Sequence, residues 1–165
     1  MVNYRHTRVP GGTYFFTLTL QDRRSDLLIR EVALLRELIS QVRQARPFHI
    51  LAAVVMPEHL HMVWRLPVGD ADYPERWRAI KAGFSRRLKL PGSPWQRRCW
   101  EHCIRNAHDL ARHVDYIHYN PVKHGLVARA VDWRYSSMHR YIARGEMSAD
   151  WGCAPVVMAS GRFGD

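Results

Sequence analysis

Alternating and continuous apolar runs predict four strands. The first, Thr13 to Leu20, is rich in aromatic and β-branched residues. An apolar run from Phe48 to Met56 and an alternating run from His59 to Leu66 flank a short turn, which predicts a hairpin. A fourth, shorter strand is predicted from Arg98 to Ile104.

Apolar residues at helical spacing predict three helices between and after these strands. The first spans 30–46, where Pro47 follows, and the second runs from Pro74 to about Lys89. The third spans 108–120 and is predicted to end at Pro121, because the residue before a proline disfavours helical geometry.

The first six elements follow the order of the ferredoxin-like split βαββαβ pattern. The predicted fold class is therefore α+β, with a four-stranded antiparallel sheet, both helices on one face and an additional C-terminal helix that carries Tyr116. Residues 1–145 are predicted to form one domain, and the Gly-rich, weakly patterned residues 146–165 an irregular tail.

The excess of positive charge favours a polyanionic partner. The chain has 25 Lys and Arg against 15 Asp and Glu, a formal net charge of +10. Arginines interspersed with aromatic residues favour nucleic-acid recognition, with ordinary solvated surface charge as the alternative. The predicted DNA contacts, mainly to phosphates, lie on the second helix and in the loop after it: Arg78, Lys81, Arg86, Arg87, Arg97 and Arg98.

Three tryptophans, Trp95, Trp100 and Trp133, are candidates to stack on unpaired bases, with a place in the core as the alternative. The three cysteines form neither an even disulfide set nor a CxxC pair, which indicates a reducing compartment. The longest aliphatic run, Ile50 to Met56, is too short to cross a bilayer, and the N-terminal segment lacks the apolar core of a secretion signal. We therefore expect a cytoplasmic protein with no membrane partner.

His59 and His61 form the first candidate site. Residues i and i+2 of a strand point to one face, about 7 Å apart, so the two imidazoles can share a cation. Leu60, Met62 and Trp64 alternate with them, which predicts a core on the opposite face and an open groove on the histidine face. In a chain with ten histidines such a pair also arises by chance.

Tyr116 and Asn120 form the second candidate site, because residues four apart share one side of a helix. The pair offers a phenol nucleophile and an amide oxygen ligand. Ile117 belongs to the apolar stripe of this helix, about 100° away from Tyr116. The alternative is that Tyr116 packs at the helix edge and Asn120 caps the helix.

Three motifs occur in order along the chain: GGTYFFT at 11–17, MPEHLH at 56–61 and YIHYNPVKHG at 116–125. Together they resemble the REP-associated tyrosine transposases, relatives of the small single-tyrosine insertion-sequence transposases within the His-hydrophobic-His endonuclease superfamily. The resemblance spans residues 4–144 and implies the ferredoxin-like fold.

Carried over to this sequence, the resemblance implies that His59, His61 and Asn120 bind a metal and that Tyr116 is the nucleophile. Related transposases often have Asn immediately before the histidine motif, where this chain has Glu58. We expect Glu58 to tune the metal without binding it. Tyr119, about 60° around the helix from Tyr116, is a rival nucleophile, and the resemblance favours Tyr116.

The resemblance also implies a reaction and a substrate. Tyr116 would attack single-stranded or hairpin DNA of repetitive extragenic palindromes, leaving a 5′-phosphotyrosine link and a free 3′-hydroxyl, and the reverse reaction would rejoin strands. The family is understood to use Mg²⁺ or Mn²⁺, and no nucleotide cofactor is expected because the covalent link conserves the bond energy. We expect a monomer, with a dimer as the alternative, associated with the bacterial nucleoid.

Two other functions remain open at this stage. The first is a metal-dependent nuclease that uses water as the nucleophile, with Tyr116 in a structural role. The second is a DNA-binding regulator without catalytic activity, which would keep the basic surface but would not need a metal site.

Overall fold

The computed structural model describes residues 8–153 and Phe163. Its four strands form one sheet with the order β2-β3-β1-β4, in which every neighbouring pair is antiparallel. The strands are β1 (Thr13–Thr19), β2 (His49–Val55), β3 (His59–Arg65) and β4 (Trp100–Cys103). The predicted α+β class and antiparallel four-stranded sheet are confirmed.

Five helices accompany the sheet in the described part of the chain, with a single 3-10 turn at Ala130–Asp132. They are α1 (Leu27–Arg30), α2 (Val32–Ala45), α3 (Tyr73–Arg87), α4 (Ala107–Lys123) and α5 (Met138–Ala143). The three predicted helices correspond to α2, α3 and α4. The short α1 and α5 were not predicted, because each is too short to show a helical period.

The main core lies between one sheet face and helices α2 and α3. Even-numbered residues of β1 and β3 supply it, as strand alternation requires: Phe16 packs edge-on against Trp77 of α3, and Trp64 stacks on Trp77 with ring centroids 4.1 Å apart. Gly83 lets the two helices approach, because a Cβ there would lie 3.0 Å from Leu38 Cδ2. Both helices therefore cover one face, as predicted.

The opposite face of the sheet carries a second core, covered by α4. Phe15 and Val63 of the central strands pack there with Val114 and Ile117 of the helix. Odd-numbered residues of β1 and β3 point to this face, and the two histidines of the candidate site are among them. Docking of α4 therefore decides what lies above the histidines.

Helix α4 does not end at Pro121, and that prediction is wrong. The helix runs to Lys123, with Pro121 buried inside it, and the His124 N–H donates to the Asn120 carbonyl at 3.0 Å. A proline removes one backbone hydrogen bond, and burial of the apolar stripe that includes Ile117 compensates for that loss. The start is set by Asn106, whose side chain accepts from the Asp109 N–H at 2.8 Å.

The described residues include only part of the predicted irregular tail. Residues 146–153 form turns without a helix or strand, and residues 154–162, 164 and 165 lie outside the described residues. The division into residues 1–145 and 146–165 therefore stays a prediction. Cys99, Cys103 and Cys153 form no disulfide. Within 8–153, no helix combines the length and apolar character needed to cross a membrane.

Candidate active site

The two histidines lie side by side on β3, a central strand, with ring centroids 4.9 Å apart. In the antiparallel register His59 is opposite Thr19 and His61 is opposite Thr17 of β1. The side chains are 1% and 0% exposed, so the expected open groove on this face is wrong. The physical reason is the docking of α4, which puts Tyr116 and Asn120 directly over the histidines.

Glu58 sets the orientation of the His59 ring. The Glu58 Oε1 accepts a hydrogen bond from His59 Nδ1 at 2.8 Å, and Arg23 lies 3.6 Å from the same carboxylate. Burial alone would raise the pKa of Glu58, but the hydrogen bond and charge of His59, aided by Arg23, outweigh it and hold that pKa below its usual value. The carboxylate thus fixes Nδ1 as the donor and turns Nε2 towards Asn120.

A chain of two hydrogen bonds sets the tautomer of His61. The Thr17 hydroxyl donates its only proton to the Phe163 carbonyl at 2.6 Å, so towards His61 it can only accept. His61 Nδ1, 2.8 Å away, is therefore the donor. In the neutral ring Nε2 then carries the lone pair with which His61 could bind a metal.

Tyr116 lies in α4 next to His61, with ring centroids 5.2 Å apart. Its ring is 3% exposed and stacks on Phe163 at 3.9 Å with an interplanar angle of 9°. Lys123 Nζ donates to the Tyr116 Oη at 3.0 Å. The rival Tyr119 instead contacts Trp151, at 6.3 Å between ring centroids.

The geometry around Asn120 fits a divalent cation. His59 Nε2 and Asn120 Oδ1 are 3.1 Å apart, which is about the spacing of two adjacent ligands that each lie about 2.1 Å from one ion. Asn120 is 0% exposed, and its Nδ2 has no hydrogen-bond partner among the described residues. With His59 Nδ1 as the donor, Nε2 and Asn120 Oδ1 are both acceptors, and a cation bound between them would satisfy both.

A REP-associated tyrosine transposase from Escherichia coli (strain K12) is 50% identical over 151 residues, which cover 92% of this chain and 91% of that protein. The chain belongs to the REP-associated tyrosine transposases. A relative from Haemophilus influenzae, also placed in this family, is 39% identical over 98% of this chain and 99% of its own length. No protein-family model matches.

A solved structure of a REP-associated tyrosine transposase bound to a REP hairpin superposes on this chain with a TM-score of 0.89 and 46% identity. The match covers 98% of this chain and 99% of that one. The fold of this family member is therefore shared over nearly its whole length.

Sequence reasoning missed three residues around the candidate site of this transposase. Lys123 contacts Tyr116, His124 packs against His59 with ring centroids 5.0 Å apart, and Phe163 covers Tyr116. Lys123 and His124 lie within the YIHYNPVKHG motif, so their spacing from Tyr116 along the helix could have identified them. Nothing local marks Phe163, because its partners are distant along the chain.

A second histidine cluster, also not predicted, joins β4 to the start of α4. Ligand atoms of His102, Asp109 and His113 all lie within 4.8 Å of one another, so the cluster could hold a metal ion. Phe15 separates it from the first site, with ring centroids 4.8 Å from His113 and 5.4 Å from His61. The spacing of Asp109 and His113, four residues apart on a helix, was the sequence signal.

Hydrogen bonds already use most of the donors and acceptors of this cluster. His102 Nε2 and the Arg105 N–H donate to Asp109 Oδ2 at 2.8 and 2.9 Å, and His113 Nδ1 donates to the Asp109 carbonyl at 2.7 Å. Burial would raise the pKa of Asp109, but these donors, with the charges of the two histidines, lower it to about 2. The cluster thus anchors α4 to β4 without requiring an ion.

Five of the six predicted DNA contacts line one groove of about 1320 Å³ between α3 and the segment before β4. They are Arg78, Lys81, Arg86, Arg97 and Arg98. Arg87 does not line it and instead pairs with Glu37 of α2 at 3.2 Å. The reason is helical geometry, since consecutive residues point about 100° apart.

The three tryptophans separate into different environments. Trp95 is 2% exposed and packs against Phe84, so the core alternative holds for it. Trp133 is partly buried and donates Nε1–H to the Val55 carbonyl at 2.9 Å. Trp100 is partly buried, packs against the second core and lines the groove.

Proposed function

We propose that this chain cleaves and rejoins single-stranded hairpin DNA of repetitive extragenic palindromes through a covalent 5′-phosphotyrosine on Tyr116. The observation that carries the proposal is the placement of Tyr116 beside His61, with Asn120 one helical turn further on at His59. The proposed nucleophile and the proposed metal ligands thus lie on one sheet face. Family membership and the hairpin bound in the solved relative support the substrate class.

His59, His61 and Asn120 would hold a divalent ion, Mg²⁺ or Mn²⁺. Such an ion supplies Lewis-acid stabilisation of charge on the phosphate oxygens. Two imidazole nitrogens and one amide oxygen leave coordination positions open, and this donor set favours Mn²⁺ over Mg²⁺ by ligand softness. Glu58 and Thr17 each accept from one histidine Nδ1–H, so Nε2 is the atom with which each neutral ring would bind the ion.

In the proposed reaction the Tyr116 Oη attacks the phosphorus of the scissile phosphodiester. The Oη–P bond forms as the bond from phosphorus to the 3′ oxygen breaks. The phenol proton passes to solvent, and the departing 3′ oxygen takes a proton from solvent. Rejoining reverses these steps, so no nucleotide cofactor is consumed.

The groove between α3 and β4 would hold the DNA. Its five cationic side chains match a sugar-phosphate backbone, and Trp100 offers a ring for stacking. Arg87, held by Glu37 outside the groove, is not proposed as a contact. We propose that the protein acts as a monomer, in the cytoplasm and at the nucleoid.

The decisive experiment incubates a radiolabelled REP hairpin oligonucleotide with the protein, with Mn²⁺ or with chelator, and resolves covalent adducts on a denaturing gel. We expect an adduct with wild type and Mn²⁺, none with chelator, and none with Tyr116→Phe, which should still bind the hairpin. Tyr119→Phe is the matched control and should form the adduct.

Each rival function predicts a different pattern of cleavage products and covalent adducts on the gel. Cleavage without adduct that survives in Tyr116→Phe would show a hydrolytic nuclease with water as the nucleophile. Hairpin binding without cleavage under any metal condition would show a DNA-binding regulator. Adduct formation by Tyr116→Phe that is lost in Tyr119→Phe would reassign the nucleophile.

A further inference from the structure

Lys123 occupies the last position of α4, seven residues after Tyr116 and three after Asn120. Seven residues rotate about 700°, so Lys123 lies within about 20° of Tyr116 around the helix axis. Its Nζ donates to the Tyr116 Oη at 3.0 Å and lies 4.8 Å from the ring centroid. One helix face thus presents a phenol, an amide oxygen and an ammonium group in succession.

This arrangement depends on the helix continuing through Pro121. If α4 ended at Asn120, the backbone after it would leave the helical path and the seven-residue offset would no longer superpose the two side chains. The helix instead continues through the buried Pro121 and keeps Lys123 in register with Tyr116. The unexpected extension of α4 therefore has a consequence at the candidate nucleophile.

We propose that Lys123 is a further catalytic residue that orients the Tyr116 Oη and stabilises the charge on this oxygen while the Oη–P bond forms and breaks. The proposal rests on the function proposed above, since it takes Tyr116 as the nucleophile. A charged donor at hydrogen-bond distance from an oxygen that gains negative charge acts like an oxyanion-hole donor. The step transfers no proton to or from Lys123, because the phenol proton goes to solvent.

The reverse reaction uses the same hydrogen bond. When a 3′-hydroxyl attacks the phosphotyrosine, the P–Oη bond breaks and charge returns to the oxygen that faces Lys123 Nζ. The hydroxyl proton leaves to solvent and the phenolate takes one from solvent. Removal of Lys123 is therefore expected to slow both adduct formation and adduct resolution.

Two simpler roles for Lys123 make different predictions. A lysine that only contacts a DNA phosphate would weaken hairpin binding when removed but leave the rate at saturating DNA unchanged. A lysine that only packs on the Tyr116 ring would be replaced well by methionine, which keeps the aliphatic packing. The adduct rate at saturating DNA therefore distinguishes the proposed catalytic role of Lys123 from both simpler roles.

The test compares Lys123→Met, Lys123→Gln and Lys123→Arg with wild type. The adduct rate is measured at saturating REP hairpin DNA with Mn²⁺, and the dissociation constant is measured separately. We expect the two uncharged variants to lose about 100-fold in rate, with binding within about threefold of wild type. Lys123→Arg keeps the charge and should recover part of the rate. The control is Arg129→Met, which removes one exposed positive charge six residues further on.

A wild-type rate in Lys123→Met at saturating DNA would overturn the role of Lys123 while leaving the proposed function intact. An equal rate loss in Arg129→Met would also overturn it, because net charge would then explain the effect. Failure of wild type to form any adduct would instead refute the proposed function itself. Circular dichroism of each variant confirms that loss of folding does not cause the result.

Discussion

His59 Nε2 and Asn120 Oδ1 lie 3.1 Å apart although 61 residues separate them along the chain. One belongs to a central strand and the other to the helix that crosses the same sheet face. The contact sets the distance between strand and helix at the point where Tyr116 faces His61. Each element alone offers only part of the proposed ligand set.

Replacement of Asn120 by leucine tests its proposed role as the third metal ligand. Asn120→Leu keeps a side chain of similar volume but removes the oxygen, so we expect Mn²⁺ affinity and adduct formation to fall at least tenfold. Asn120→Asp supplies an anionic oxygen and should bind Mn²⁺ at least as tightly as wild type. Isothermal titration with Mn²⁺ measures both variants, and unchanged affinity in Asn120→Leu would exclude the amide as a ligand.

The Glu58 carboxylate is expected to act through His59 and not on the ion itself. Glu58→Leu removes the acceptor for His59 Nδ1, so Mn²⁺ affinity should fall about 10- to 100-fold. Glu58→Gln keeps an acceptor oxygen and should lose less. Arg23→Ala is the control, because Arg23 touches Glu58 but has no described contact with His59. A Glu58→Leu variant with wild-type Mn²⁺ affinity would contradict this role.

Phe163 covers the ring of the proposed nucleophile, in a parallel stack at 3.9 Å. Phe163→Ala uncovers Tyr116 while leaving the backbone carbonyl that accepts from Thr17, so we expect the initial adduct rate to rise several-fold. Phe163→Tyr keeps the stack and should behave as wild type. A slower Phe163→Ala variant would show instead that the stack holds Tyr116 in its reactive position.

The hydrogen bond between His102 and Asp109 predicts a pH dependence of stability. The folded-state pKa of Asp109 is about 2, below the ordinary value, so its contribution is complete above about pH 4 and is lost as pH falls towards 2. Asp109 is 3% exposed, and a shift of this size corresponds to about 2 kcal/mol. Asp109→Asn should therefore be less stable by about that amount at pH 7, and the difference should shrink at pH 3.

Urea unfolding at the two pH values measures this difference. Asp115→Asn, on the same helix, is the matched control: burial raises the pKa of Asp115, so its removal should not destabilise the protein at pH 7. Equal stability loss at both pH values would exclude the charge of Asp109 as the cause. If the cluster holds an ion, chelator will lower the melting temperature of wild type but not of His102→Ala.

The groove between α3 and β4 predicts which arginines contribute to DNA affinity. Arg97→Ala combined with Arg98→Ala should weaken hairpin binding and reduce the slope of log affinity against log salt by about one for each phosphate that is no longer neutralised. Arg87→Ala is the control, because Arg87 pairs with Glu37 outside the groove. A slope that falls equally in the control would show that general charge, and not the groove, holds the DNA.

Local periodicity explains why most elements could be predicted. Strand alternation places His59 and His61 on one face whatever the tertiary fold, and the four-residue spacing places Tyr116 and Asn120 on one helix side. The wrong prediction at Pro121 has the same origin, because a local rule placed the end of α4 before the proline. In the folded chain, burial of the apolar stripe of α4 outweighs the absence of a single hydrogen bond.

The sequence alone determined the order of the four strands and three long helices, the basic character of the protein and the residues of the two candidate sites, because these depend on neighbours within a few residues. It could not decide which face α4 would cover, since Phe15 and Phe16 supply apolar side chains to opposite faces of the sheet. Only tertiary packing brings His59 to Asn120 and Phe163 to Tyr116, because these pairs meet only when separate elements dock. The proposed metal and tyrosine site exists only in the folded chain.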